Sequence, residues 1–179
     1  MLRQGDCKNA FCNSFLPDDE VVIIKPPLGD PDAETNEYWC LWRTLYGLRH
    51  SPKHWYDKIS AIPLKMGFRP CAHDPCLYVG FLDAGSDSNT RLDSKFSTTP
   101  IYLGLHVDDF IYFSISDEIE HKFEELLAKE LSVEFMGTVE WFLGIQFTWK
   151  QHNNNELSVH LNQQGFAQHT VECRESDGR

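Results

Sequence analysis

The stretch "IYLGLHVDDFIYFS", residues 101 to 114, restricts the possible folds more than any other part of the chain. Ile101, Leu103, Leu105 and Val107 recur at spacing two, while Phe110, Ile111, Tyr112 and Phe113 are strand formers. Both flanks therefore read as strands, with Val107-Asp108-Asp109-Phe110 as the turn between them. An Asp at a turn tip is ordinary, because its side chain bonds its own main chain and tolerates turn geometry. The adjacent carboxylates acquire chemical meaning if a third stands in a matching context elsewhere.

The 179 residues suffice for one domain, and an apolar content of 41% can build its core. No run of 18 apolar residues occurs, so no membrane span is expected. The start, "MLRQGDCKNAFCN", lacks the apolar run of a signal peptide, so secretion is not expected either. Cys7, Cys12, Cys40, Cys71, Cys76 and Cys173 are spread through the chain and fit free thiols in a reducing compartment. Cys71, His73 and Cys76 form the closest grouping, without a second pair at zinc-finger spacing. A net charge of -11 argues against a freestanding nucleic-acid binder, whose affinity rests on cations. It leaves room for an enzyme that holds divalent metals, or for a piece separated from a basic partner segment.

Along the chain, "KNAFCNSFL" has helical spacing, "EVVIIKPP" is a strand stopped by prolines, "GDPDAETNE" is a loop and "YWCLWRTLYGL" is strand-like. Trp55, Ile59, Ile62 and Met66 mark a helix from Ser51, with Ser51-Pro52 as N-cap and first-turn proline and Pro63 bending or shortening it. "PCLYVGFL" is a strand, and the polar segment 83–100 a surface loop. A second amphipathic helix over 117–130 follows Ser116, with acids near its start and Ile119, Phe123, Leu126 and Leu127 on one face. "VEFMG", "EWFLGIQFTWK" and "ELSVHL" are strands, the last two joined through "QHNNN", and "NQQGFAQHTVE" closes as a short helix. This order predicts an α+β fold, an antiparallel sheet with helices on one face.

The third carboxylate is Asp6 in "QGDCKNAF", at the end of a short strand. If its strand neighbours the hairpin, three carboxylates meet, and such a cluster repels itself unless cations sit between its members. Hard oxygen donors of this kind suit magnesium.

The segments "QGDCKNAFCNSFLPDDEVVIIKPP", "LYGLRHSPKHWYDKI", "HVDDFIYFS" and "FMGTVEWFLGI" come in an order and context that resemble the reverse transcriptase of copia-type LTR retrotransposons. The resemblance covers nearly the whole chain. It implies a right-hand polymerase palm over residues 1–172 with incomplete fingers and a tail at 173–179. Its activity is RNA-directed DNA polymerisation with two magnesium or manganese ions. Asp6, Asp108 and Asp109 match the catalytic aspartates; Asp6, Asp108 and the backbone carbonyl of Cys7 match the metal ligands. Asn9, Ala10, Phe11, Tyr46 and Gly47 match the nucleotide site, with Phe11 as the ring that rejects a 2′-hydroxyl. Ser51, Pro52, His106, Trp141, Leu143 and Gly144 match template and primer contacts, the last three in a primer-grip hairpin, while Trp55 and Tyr56 read as core.

His106 stands where the family most often has Tyr, and His50 where Gln is frequent. The match opens at the first aspartate, so the fingers strands, integrase and RNase H of the usual polyprotein are expected as missing partners, beside a dNTP and an RNA or DNA template with primer. The implied location is the cytoplasm, in a retroelement's virus-like particle, or the nucleus. Two competing readings are a non-catalytic relic of a decayed element and a carboxylate-pair hydrolase, whose two acids face each other across a cleft. The polymerase reading expects Asp6 and Asp108 on adjacent strands with carboxyl groups within about 4 to 7 Å.

Overall fold

The structure is a computed structural model that describes residues 1–30, 37–82, 99–153 and 156–176. Its centre is the expected hairpin: β6 (Pro100–His106) and β7 (Asp109–Ser114) pair antiparallel from Ile101↔Ser114 to His106↔Asp109. The connection is tighter than the four-residue turn expected. Only Val107 and Asp108 lie outside the strands, and Asp109 already opens β7.

The first strand, β1 (Arg3–Cys7), inserts between β7 and β8 (Val133–Thr138), antiparallel to both. On the far side of β6 follow β5 (Leu77–Phe81) and the two-residue β4 (Arg69–Pro70). The result is a six-stranded sheet of order β4-β5-β6-β7-β1-β8.

Side chains alternate across this sheet, so each strand has a core face and an open face. The core face carries Tyr78, Ile101, Leu103, Phe110 and Tyr112, all nearly inaccessible to solvent. Two helices cover it: α1 (Ser51–Lys65) through Trp55, Ile59 and Ile62, and α2 (Asp117–Glu130) through Ile119, Phe123 and Leu127. Burying each such large apolar side chain contributes about 1.5–3 kcal/mol. Gly5 is required on this face, because a Cβ there would stand 2.3 Å from the Phe110 ring and 2.9 Å from the Glu134 carbonyl.

The second helix matches expectation residue for residue. Ser116 is its N-cap, accepting the Ile119 N–H at 3.4 Å, and Asp117, Glu118 and Glu120 occupy the first turn. In α1 the N-cap position is His50, without a side-chain cap, and Ser51 is the first helical residue. Pro63 is buried within α1, which runs on to Lys65.

Elsewhere the sequence periodicity overreached. "KNAFCNSFL" forms only a 3-10 helix at Ala10–Asn13. Asn9 enters it with φ 53, and the Asn13 amide donates to the Lys8 and Asn9 carbonyls, fixing a tight turn in place of an α-helix. The aromatic segment after Glu37 yields only β3 (Trp39–Leu41), paired with β2 (Val22–Ile24) in a two-stranded ribbon. "EWFLGIQFTWK" is two strands: β9 (Trp141–Phe142) and β10 (Ile145–Gln151) turn at Leu143 and Gly144, both at positive φ as a two-residue hairpin requires. With β11 (Leu157–Asn162) they make a three-stranded sheet, followed by α3 (Gln164–Ser176). This helix runs across the boundary expected at residue 172. The expected surface loop falls largely on 83–98, outside the described residues, and Pro100 already belongs to β6. Among the described residues the fold is mixed α+β with antiparallel sheets and three α-helices, and no described helix is long and apolar enough to cross a membrane.

Candidate active site

The register of four strands builds the site. Asp6 pairs with Asp109 across β1 and β7, and with Glu134 across β1 and β8, while Asp109 pairs with His106 across the hairpin. Register partners point to the same side, so His106, Asp109, Asp6 and Glu134 form one row on the open face. Opposed residues of antiparallel strands have Cα atoms about 4.5–5.5 Å apart, which makes the acids direct neighbours. Asp108 stands beside this row at the turn, and its carbonyl accepts the Cys7 N–H at 2.8 Å.

That turn is strained. Val107 has φ 56, a conformation that a β-branched residue rarely adopts. Two hydrogen bonds hold it: Cys7 N–H to the Asp108 carbonyl, and the Trp55 indole N–H to the Val107 carbonyl at 2.5 Å.

The electrostatics follow from the crowding. Partial burial raises the Asp6 carboxyl above its ordinary range, and the charges of Asp108, Asp109 and Glu134 push it further, against the opposing ammonium of Lys8. Burial likewise raises Asp109, with Asp108 adding to the shift and His106 opposing it. Burial, with the charges of Asp6, Asp108 and Asp109 adding to it, pushes the Cys7 thiol up to about 12. It is protonated at neutral pH and inert as a nucleophile.

Beside the carboxylates stands an aromatic wall. Phe11 and Tyr46 meet edge to face, centroids 4.8 Å apart. Burial raises the Tyr46 phenol, the fields of Asp108, Cys12 and Asp6 add to it, and a hydrogen bond with the Ala10 backbone opposes the rise. The Phe11 carbonyl is held by the Thr44 hydroxyl. Asp6 and Asp109 are thus register partners, and Phe11 and Tyr46 are in ring contact, with the fields of Asp6 and Asp108 felt at Tyr46. Asn9 and Gly47 have positive φ, and Ala10 is fully buried in the core.

The expected template and primer residues divide. Pro52 and His106 border an apolar cavity of about 210 Å³ together with Trp55, Tyr56, Ile59 and Val107. Ser51 is buried, and its hydroxyl donates to the Leu45 carbonyl at 2.7 Å, so its side chain is engaged in holding the loop. Trp141, Leu143 and Gly144 belong to the other sheet, with Trp141 and Leu143 about half exposed. Trp55 is core as expected, whereas Tyr56 is exposed.

Neither Glu134 nor Glu20 was singled out in the sequence. Glu134 looks like any outward residue of an alternating strand, and only the β1–β8 register makes it a neighbour of Asp6. Glu20 accepts from His50 Nδ1 at 3.2 Å and His54 Nε2 at 2.9 Å, bonds that lower its carboxyl and tie the loop before β2 to the start of α1.

The donor set suits a hard divalent cation: carboxylates on neighbouring strands of one face, with Asp6 and Asp109 raised first by burial and then by neighbouring aspartate charge. Among the described residues no three His, Cys, Asp or Glu side chains are already gathered as a metal-binding cluster. The fit is therefore one of donor chemistry and strand placement. Cys71, His73 and Cys76 form no such cluster either.

Residues 1–175 match the family model described as reverse transcriptase (RNA-dependent DNA polymerase), and the chain belongs to that family. Among curated proteins it is 29% identical to a transposon Ty5-1 protein of Saccharomyces cerevisiae, over 87% of this chain and 45% of the relative. It is 30% identical to the retrovirus-related Pol polyprotein from transposon RE1 of Arabidopsis thaliana, over 81% of this chain and 9% of the relative. It is 24% identical to the Pol polyprotein from transposon TNT 1-94 of Nicotiana tabacum, over 96% and 12% respectively. The chain thus spans less than half the length of each of these relatives. No solved structure matches it. Family membership sets aside the carboxylate-pair hydrolase.

Proposed function

We propose that the chain is the palm, the catalytic part, of a retrotransposon reverse transcriptase, extending a primer on an RNA template. The observation that carries this reading is the pairing of Asp6 with Asp109 on adjacent strands, with Asp108 at the turn between β6 and β7. Family membership and Pol polyprotein relatives support it.

In the reaction the primer 3′-oxygen bonds to the α-phosphorus of a dNTP, the α–β bridging bond breaks, and pyrophosphate leaves. Asp6, Asp108 and the Cys7 carbonyl would hold two magnesium or manganese ions. When bound, such ions supply Lewis-acid stabilisation of charge on the phosphoryl oxygens. The chain's own residues position the reactants. Strand pairing fixes Asp6 and Asp109, and the two hydrogen bonds at Val107 and Asp108 fix the turn. The Phe11 ring, braced by Tyr46, forms a wall against which a deoxyribose fits and a 2′-hydroxyl collides. The β9–β10 hairpin offers Trp141 and Leu143 to the primer. The partners are the fingers, integrase and RNase H parts of a polyprotein, in a cytoplasmic particle or the nucleus.

The test is dNTP incorporation on poly(rA)/oligo(dT), with this chain alone and with a longer polyprotein piece that includes the fingers. Little extension is expected from the chain alone, since its charge of -11 opposes template and primer. Extension is expected from the longer piece and should fall to background in Asp6→Asn and Asp108→Asn. Activity that survives Asp108→Asn contradicts the reading.

A further inference from the structure

Lys8 follows β1 directly, and its N–H continues the strand ladder to the Ser132 carbonyl. Alternation puts it on the same side as Asp6, about 7 Å further along the chain direction. Its Nζ lies 3.1 Å from the Glu134 carboxylate, with Lys8 53% and Glu134 61% exposed. Because Glu134 is the register partner of Asp6, the ammonium sits at the β8 end of the row, opposite His106 on β6. The backbone beneath it is fixed, since the Asn13 amide donates to the Lys8 carbonyl at 2.8 Å. The side chain is not: an exposed ion pair is weak and screened, so a multivalent anion can displace its partner.

A nucleoside triphosphate brought to this face meets Asp6, Asp108, Asp109 and Glu134, all of its own sign. Its outer phosphates need a cation on the protein beyond the ions that the aspartates hold. We propose that Lys8 receives the β- and γ-phosphates of the incoming nucleotide, exchanging its pairing with Glu134 for phosphate oxygens. Glu134 is then a holding acid that keeps Lys8 over the site and competes with the substrate's tail. The proposal rests on the polymerase reading and adds to it the residue that distinguishes a triphosphate from a monophosphate.

The experiment measures binding of dTTP, dTMP and inorganic tripolyphosphate to the 179-residue chain in manganese buffer, by equilibrium dialysis. Lys8→Ala should weaken dTTP and tripolyphosphate about tenfold while moving dTMP less than about twofold. Lys8→Arg should restore most of the loss, and Glu134→Gln should tighten dTTP about threefold by releasing the ammonium. An equal loss for dTTP and dTMP in Lys8→Ala, or no loss, overturns the assignment and leaves Lys8 as a strand-edge ion pair. Failure of the unaltered chain to bind dTTP also overturns the assignment, whereas the polymerase reading stands or falls on primer extension by the longer piece. The two failures are therefore distinguishable.

Discussion

The Trp55 indole N–H donates to the Val107 carbonyl at 2.5 Å, so the most buried aromatic of α1 clamps the turn that carries Asp108. A core residue and a site residue are thereby one mechanical unit. Trp55→Phe keeps most of the apolar volume and removes the donor. It is expected to cost about 1–3 kcal/mol, read as a lower urea midpoint, and to weaken divalent-cation binding at the carboxylates. Unchanged cation binding in the folded variant would show that the clamp does not serve the site.

Relief of strain at the same turn should act in the other direction. Val107 is about half exposed and adopts φ 56, so Val107→Gly loses little packing and removes the steric conflict. Net stabilisation of about 1 kcal/mol is expected by urea unfolding, because the relief exceeds the added chain entropy.

Below the sheet, Glu120 is fully buried and accepts from Arg3 Nε at 2.6 Å and the Ser114 N–H at 3.0 Å. Glu120→Ala leaves a part-buried guanidinium and a buried N–H without this partner, and should cost about 3–5 kcal/mol in thermal or urea unfolding. A loss below about 1 kcal/mol would mean that water replaces the carboxylate freely.

Tyr112 sets an alkaline limit. Burial raises its phenol well above the ordinary value of 10, helped by the hydrogen bond to Glu124 and that group's charge. The folded chain therefore holds this proton more tightly than the unfolded chain. The contribution is fully present below about pH 10 and is lost as pH rises beyond it. Unfolding free energy should fall with a steeper slope above that pH than in Tyr112→Phe, and parallel slopes would contradict the assignment.

How much of this was legible in the sequence differs by element. The hairpin and α2 were, because period two and period 3.6 run unbroken there and Ser116 marks the helix start. The 3-10 turn at Ala10 was not, since its apolar spacing imitates a helix while Asn9 and Asn13 redirect the backbone locally. Asp6, Asp108 and Asp109 could be singled out by type and resemblance. Their neighbourhood could not, because it depends on β1 entering the sheet between β7 and β8. Glu134 and Lys8 stayed hidden for the same reason: register, which no local pattern records, makes them part of the row.

The proposal that Asp6 and Asp108 hold divalent cations on the open face is decided by manganese binding, followed through the paramagnetic resonance of the free ion. The intact chain should bind manganese, and Asp6→Asn and Asp108→Asn should each weaken that binding about tenfold or more, while Asp117→Asn on the α2 surface leaves it unchanged. Equal manganese binding by all four proteins would contradict the account.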